Sequence, residues 1–180
     1  MAFGDGFTIV KNECGQIYAI GANNVAQCGI GGSPPEEVTT YTLIPTDRPV
    51  VLVSASNTHA GGICDDGSVI TWGFGAMGAN SHGLIGTMCR TPRAIPASVF
   101  ASFKATQLSC GAFHSAVLTE NGRVFTVGGN SAGALGHGGG MYAFHTRCIP
   151  LIYWRHFTDI IHTICRSAAE LIHVRASDGS

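Results

Sequence analysis

The chain has 180 residues and a formal net charge of −1, and only 12% of its residues are charged, against roughly 25% in an average protein. So small a charge gives no global attraction to nucleic acid or to an anionic membrane, and no apolar run approaches the roughly 20 residues of a membrane span. The 25 glycines recur at regular intervals, which indicates a turn-rich repeat instead of a disordered chain.

Three stretches are versions of one seven-residue pattern that begins and ends with glycine. They run from Gly15 to Gly21, from Gly67 to Gly73 and from Gly122 to Gly128, starting about 52 and then 55 residues apart, a spacing typical of propeller-type repeats. Between the glycines lie β-branched and aromatic residues, as expected of short buried strands. Because each repeated unit must bury its core against its neighbours, the repeat predicts the architecture.

A β-hairpin is predicted at the centre of every unit. The predicted strand pairs, in chain order, are Phe7–Val10 with Ile17–Ile20, His59–Cys64 with Val69–Trp72, and His114–Thr119 with Val124–Val127. An Asp-Gly or Asn-Gly step between two apolar runs is a strong hairpin signal, and it occurs at Gly67 and Gly122. Val50–Val53 and Gln107–Ser109 are predicted to supply further strands.

The C-terminal part begins a fourth unit. Ile160–Ile164 is predicted to be its incoming strand, and Asp178-Gly179 repeats the hairpin turn. The segment 154–171 remains open between helix and strand. Its apolar residues have the spacing of an amphipathic helix, whereas the repeat register favours strands. Those residues are Trp154, Phe157, Ile161, Ile164, Ala168 and Leu171.

The stretch from Cys110 to Gly136, which contains His114 and the Asn-Gly turn at Gly122, resembles the repeat of the regulator-of-chromosome-condensation family. The second unit carries that family's Trp-Gly step at Trp72-Gly73. In the first unit Phe7 replaces the histidine and Ile20 the tryptophan. The resemblance extends from about Phe3 to Ser180 and implies an all-β fold, a seven-bladed β-propeller of four-stranded blades.

This chain is therefore expected to form a partial β-propeller of about three to three and a half four-stranded blades. The whole chain, 1–180, is predicted to be one repeat domain, with units at about 3–54, 55–109 and 110–164 and an incomplete fourth unit at 165–180. Because an unclosed propeller exposes strand edges, we expect the chain to be part of a longer propeller. Pairing with a second half-propeller is the alternative.

Nine residues are predicted to be structural positions of the repeat. The histidines are expected to lie buried at blade junctions and to bond to backbone, and the tryptophan to anchor one blade to the next. The positions are Gly15, Gly67, Gly122, Gly21, Gly73, Gly128, His59, His114 and Trp72.

No catalytic, cofactor-binding or metal-binding residues are predicted. Gly73 to Gly78 spells a dinucleotide-binding motif, but it falls in a turn that every unit carries, and no helix pattern follows it. Ser115 and His114 are neighbours in a strand, so their side chains point to opposite faces and form no catalytic pair. The seven cysteines lack metal-ligand spacing and favour reduced thiols in the cytoplasm or nucleus. The N-terminus lacks the basic start of a signal peptide.

The predicted function is that of a protein-interaction module that binds its partner through propeller loops. The longest connections, Gly32–Arg48 and Gly138–Trp154, are the predicted contact surfaces, and the basic-leaning run from His145 to Arg175 is a weaker candidate. The resemblance implies an alternative, guanine-nucleotide exchange on a Ran-like small GTPase. No loop matches an exchange wedge residue by residue, so no exchange residues are assigned.

Overall fold

The part of the chain that the structure describes forms three four-stranded antiparallel sheets. The structure is a computed structural model that describes residues 1–33, 35–75, 87–130 and 134–136 and the backbone of 142–149. The first sheet holds β1 (Ala2–Phe3), β2 (Phe7–Lys11), β3 (Ile17–Ala22) and β4 (Glu37–Ile44). The second holds β5 (Val50–Ala55), β6 (His59–Cys64), β7 (Val69–Gly75) and β8 (Thr87–Ala94). The third holds β9 (Ala105–Cys110), β10 (His114–Thr119), β11 (Val124–Gly129) and β12 (Tyr142–Ile149).

Within each sheet, every strand pairs with the strand that follows it in the chain, so each sheet is a simple meander. The three predicted hairpins are confirmed as β2–β3, β6–β7 and β10–β11. The runs Val50–Val53 and Gln107–Ser109 lie in β5 and β9, the first strands of the second and third sheets. The fold is all-β, and the three sheets are successive blades of a partial β-propeller.

The fourth strand of each blade was not predicted. The stretches 32–48 and 138–154 were expected to be connections, but β4 and β12 lie inside them, so this prediction is wrong for their central residues. β4 is the outermost strand of its sheet and exposes most of its side chains. It therefore lacks the apolar run by which a buried strand is recognised.

Two apolar clusters hold the blades together. One joins the first sheet to the second and includes Ile9, Ile17, Val50 and Trp72. The other joins the second sheet to the third and includes Val69, Leu108 and Val117. The middle blade is therefore covered on both faces, which is why every residue of β6 is buried.

A glycine near the end of the third strand of each blade lets two backbone segments approach closely. Gly21, Gly73 and Gly128 have φ of +109°, +90° and +116°, and the pairing with the fourth strand shifts register beside each. At Gly73 an added Cβ would lie 2.6 Å from the Thr58 carbonyl oxygen. That carbonyl accepts the N–H of Phe74 at 2.8 Å, and equivalent bonds follow Gly21 and Gly128.

Because neighbouring strands are antiparallel, each sheet has its connections at two ends. One end carries the turns 4–6, 56–58 and 111–113 and the β3–β4 loop, and we call it the loop end. The other carries the turns 12–16, 65–68 and 120–123 and the β4–β5 and β8–β9 connections, and we call it the hairpin end. A 3₁₀ turn at Ala97–Phe100 belongs to the hairpin end.

Several sequence predictions fall outside the described residues. They concern the turn around Gly78, the predicted fourth unit with Ile160–Ile164 and the 154–171 segment, and most of the run from His145 to Arg175. Within the described residues, no helix has the length and apolar character needed to cross a membrane.

Candidate interaction surfaces and the blade junctions that hold them

Trp72 anchors the second blade to a loop of the first. Its side chain is fully buried, and its indole N–H donates to the carbonyl oxygen of Gln27 at 2.9 Å. A Cβ added at Gly29 would lie 2.5 Å from the indole ring, so the loop backbone packs directly on it. These contacts tie the indole of the second blade to the base of the β3–β4 loop.

The rest of that base is closed by polar contacts. The Asn23 side-chain oxygen accepts the N–H of Cys28 at 3.0 Å, and its amide donates to the Pro35 carbonyl at 3.1 Å. The Gly31 N–H donates to the Arg90 carbonyl of β8 at 2.8 Å. In the third blade Asn130 accepts the N–H of Leu135 in the same way, at 2.9 Å. The repeated asparagine is thus a loop-closing residue.

Beyond this base the loop projects into solvent. Its exposed tip consists of Gly32, Ser33, Pro35 and Glu36, with Glu37 at the start of β4. By contrast Cys28 is buried within the base, and burial raises the pKa of its thiol to about 11. The loop therefore combines a rigid base with an accessible acidic tip.

His59 lies fully buried at the junction of the second and third blades. Its Nδ1 is 2.8 Å from the Ser56 hydroxyl, and its Nε2 is 2.8 Å from the hydroxyl of Ser115 in β10. Burial, with the nearby His114 as a second cause, lowers the pKa of His59 to about 3. The imidazole is therefore neutral. The ring bonds two serine hydroxyls across a blade junction, whereas bonds to the backbone were expected.

His114 occupies the equivalent position in the third blade. It pairs with Gly128 as His59 pairs with Gly73 and as Phe7 pairs with Gly21. A Cβ added at Gly111 would lie 2.5 Å from the His114 ring, so a glycine there makes room for the imidazole. Ser115, its neighbour in sequence, faces His59 across the junction.

The hairpin-turn glycines join each blade to the next. Gly15, Gly67 and Gly122 have φ of +79°, +84° and +79°. The Gly15 carbonyl accepts the N–H of Val50 at 2.8 Å, and the Gly67 carbonyl accepts that of Ala105 at 2.9 Å. The Gly15 and Gly67 turns are thereby bonded to the start of the following blade.

Charged side chains gather beside the Gly67 turn. Arg48 pairs with Asp66 at 3.1 Å and with Asp65 at 3.7 Å, and all three side chains are more than a third exposed. Asp66 also accepts the Ser68 hydroxyl at 2.7 Å and the Ser68 N–H at 2.9 Å. These hydrogen bonds, and then Arg48, lower the pKa of the Asp66 carboxyl.

An open groove of about 720 Å³ runs between β4 and β8 near these charges. Apolar side chains form much of its wall, and Gln16, Thr46, Asp47, Arg48 and Ser68 supply polar groups. The apolar lining consists of Leu43, Ile44, Pro45, Cys64, Ile70, Pro92 and Ala94. Sequence reasoning missed this groove because its walls come from two different repeats and largely from the unpredicted fourth strands.

The described side chains offer contact surfaces more than reactive groups. Among them, no three His, Cys, Asp or Glu residues converge as metal ligands would, and the cysteines whose side chains are described form no disulfide. His59 and Ser115 bond each other, but both are buried away from any substrate. Accessible polar chemistry lies in the loop tip and along the groove.

Repeated hairpins, junction residues at matching positions and exposed loops together define a β-propeller repeat protein. A family model for the Regulator of chromosome condensation (RCC1) repeat matches residues 66–118, and a second model of the same repeat matches residues 105–134. The chain belongs to this repeat family.

Curated relatives are similar over most of this chain. An X-linked retinitis pigmentosa GTPase regulator homolog from Caenorhabditis elegans is 33% identical over 76% of the chain and 10% of its own length. The probable E3 ubiquitin-protein ligase HERC3 from Homo sapiens is 32% identical over 68% of the chain and 12% of its own length. The Regulator of chromosome condensation from Drosophila melanogaster is 29% identical over 71% of the chain and 23% of its own length. The chain thus spans less than a quarter of each of these relatives.

Two solved structures share the fold. Human WBSCR16 superposes with a TM-score of 0.72 at 24% identity, over 82% of this chain and 36% of that one. Prp20p from Saccharomyces cerevisiae superposes with a TM-score of 0.69 at 22% identity, over the same shares. At this level of identity the likeness concerns the fold alone.

Proposed function

We propose that this chain is a protein-interaction module that binds a protein partner through the loops of its propeller blades. The observation that carries this proposal is the β3–β4 loop, whose base is fixed by Trp72 and Asn23 while its tip is exposed. Scaffold-held loops are where repeat propellers place recognition. A prearranged loop also loses little conformational entropy on binding.

The names of the similar proteins support a protein partner. One relative is named a GTPase regulator homolog, and the Prp20p structure is described together with binding to Gsp1p and histones. We therefore propose a small GTPase or a basic chromatin protein as the first partners to test, and a nuclear or cytoplasmic location. Pairing with a second half-propeller, or inclusion in a longer propeller, would extend the same loop end with further blades.

The test uses purified chain and purified probes. The chain is immobilised, and binding of the GTPase Gsp1p and of histones is measured by interferometry. The paired substitutions Glu36→Lys and Glu37→Lys alter the loop tip, and Glu13→Lys, at the hairpin end, is the matched control. We expect the paired change to weaken binding of a basic partner at least about tenfold, or roughly 1.4 kcal/mol, and the control to leave it unchanged. Equal effects from both would contradict recognition by the loop end.

Nucleotide exchange on a small GTPase is the second candidate, and the name of the GTPase regulator homolog supports it. Exchange needs no acid or base, only tighter binding to the nucleotide-free state than to the loaded one. Release of a fluorescent GDP from Gsp1p, with and without the chain, measures it directly. If the chain binds Gsp1p but a saturating concentration of it does not change the rate of GDP release, exchange on Gsp1p by this chain is excluded. The proposed interaction module would then stand without exchange activity.

A further inference from the structure

We propose that the groove between β4 and β8, together with the outer edge of β4, binds an extended segment of a partner protein in which apolar residues alternate with Lys or Arg. This inference rests on the proposed function, because it assigns that module a second recognition site and a partner chemistry. The site is separate from the loop tip, so the two can fail independently.

The outer edge of β4 is open to another strand. β4 is the last strand of its sheet, and within the described residues no backbone hydrogen bond reaches it from the side opposite β3. Where the β3–β4 pairing shifts register, the Thr40 carbonyl accepts the hydroxyl of Thr42 at 3.0 Å. From Val38 to Ile44 the strand contains no proline and no charge.

The equivalent strand of the second blade is protected. β8 contains Pro92 and the exposed residues Arg90 and Arg93, and its Arg90 carbonyl already accepts the N–H of Gly31. Proline, positive charges and a covering loop are the usual means by which proteins block edge pairing. Both strands have a register shift, but proline, positive charge and a covering loop are absent from β4 within the described residues, so its edge is more open than that of β8 to an extended segment.

A strand added to β4 would lay alternate side chains over the groove. Leu43 is 48% exposed and lines it together with Pro92 and Ala94 across the gap. Successive residues of a strand point to opposite faces, so every second residue of the segment would enter this wall. The volume of the groove, about 720 Å³, lies within the range of ligand-binding clefts.

Charge selects the remaining positions of the segment. At the rim, Asp47, Asp65 and Asp66 outnumber Arg48, whose guanidinium already bonds two of the three carboxylates. Two further cations lie near this rim. Lys104 packs against the Gly67 turn, where Glu120 accepts its backbone N–H. Arg93 stands between the lining residues Pro92 and Ala94 and bonds the Cys89 thiol. Asp47, three residues after the end of β4, has no ion pair among the described residues, so the hairpin end of β4 favours a cationic side chain in the occupant.

The test measures fluorescence anisotropy with fluorescein-labelled octapeptides. One alternates lysine with valine, a second replaces every lysine by glutamate, and a third carries a central proline in the lysine–valine sequence. We expect the first to bind and the other two to bind at least about tenfold more weakly. Hydrogen exchange on the bound complex should slow amides of β4.

Matched variants locate the binding. Leu43→Ser is expected to weaken binding of the lysine–valine peptide about tenfold, and Asp47→Lys about fivefold. Met88→Ser removes an exposed apolar side chain from β8, and Asp5→Lys reverses a charge at the loop end. Both controls should leave binding unchanged. Thermal melts check that every variant is folded.

Each contrary result overturns a stated part of the proposal. If the proline peptide binds as tightly as the lysine–valine peptide, binding does not depend on strand pairing at the edge of β4. If the glutamate peptide binds as tightly, the site has no preference for cationic side chains. Equal weakening by the control variants removes the site itself. If no peptide binds but the loop-tip variants still weaken binding of Gsp1p or histones, the groove proposal fails and the proposed function stands. Absence of binding to every probe overturns both.

Discussion

Trp72 combines the largest buried side chain of the described residues with a hydrogen bond that crosses a blade boundary. Trp72→Ala removes the apolar contacts and leaves the Gln27 carbonyl without its indole donor. We expect a loss of about 3–5 kcal/mol in the free energy of unfolding, measured by urea denaturation. Trp72→Phe keeps an aromatic ring and should lose less. A loss below about 1 kcal/mol for the alanine variant would contradict the anchor role.

His59 makes stability depend on pH. Its pKa is about 3 in the folded chain, against an ordinary value near 6.5 when unfolded. Between these values the unfolded state holds a proton that the folded state lacks, so stability is greatest above pH 6.5 and is lost as the pH falls toward 3. The slope approaches about 1.4 kcal/mol per pH unit.

His59→Phe is the matched control for this titration, because Phe7 occupies the equivalent position of the first blade. The variant loses two hydrogen bonds and should be less stable than the parent at pH 7.5. Urea denaturation at pH 7.5, 6.5 and 5.5 should show the gap between the two proteins narrowing as the pH falls. If the difference in unfolding free energy between parent and variant does not change with pH, His59 has the same pKa in the folded and unfolded states.

At the scale of elements, the hairpin turns require glycine for two separable reasons. Gly67 has φ of +84°, and an added Cβ would lie 2.5 Å from the Cβ of Lys104. Gly32 has φ of +67° but nothing within 4 Å, so it shares only the backbone requirement. Gly32→Val should therefore cost about 1–2 kcal/mol, from strain alone. Gly67→Val should cost clearly more in the same urea denaturation. Equal costs would contradict the close packing of turn and neighbouring blade.

The sequence predicted those elements whose signals are local. Turn residues and apolar runs lie side by side in the central hairpins, so β2–β3, β6–β7 and β10–β11 could be placed without the structure. β4 has no such signal, because an outermost strand buries few of its side chains. β8 is further disguised by Pro92 and two arginines, which belong to an edge and not to a core.

The candidate sites depend on contacts between repeats, which sequence periodicity does not contain. Ser115 lies 56 residues from His59 along the chain and bonds it across a blade junction. The groove likewise joins Leu43 of one repeat to Ala94 of the next. The sequence predicted a contact surface over residues 32–48, and this range contains the loop tip. It did not predict which of those residues are accessible.

At the scale of the whole molecule, each described blade is held to the next by apolar packing. One apolar cluster couples the first and second sheets, and a separate one couples the second and third. Stability in such an array is approximately a sum of terms for single units and for nearest-neighbour interfaces. Substitutions in different clusters should therefore act independently, whereas substitutions across one junction should not.

Two double-mutant cycles test this arrangement. Ile9→Ala lies in the first cluster and Val117→Ala in the second, so their effects on the free energy of unfolding should add to within about 0.5 kcal/mol. His59→Ala and Ser115→Ala remove the two ends of one hydrogen bond, so the double variant should lose less than the sum by about 0.5–3 kcal/mol. Strong coupling in the first cycle would show that the three blades form one undivided core. Additivity in the second would show that the His59–Ser115 contact does not join the blades. The cycles thus measure the junctions themselves, and it is these junctions that hold the loop end and the groove in place.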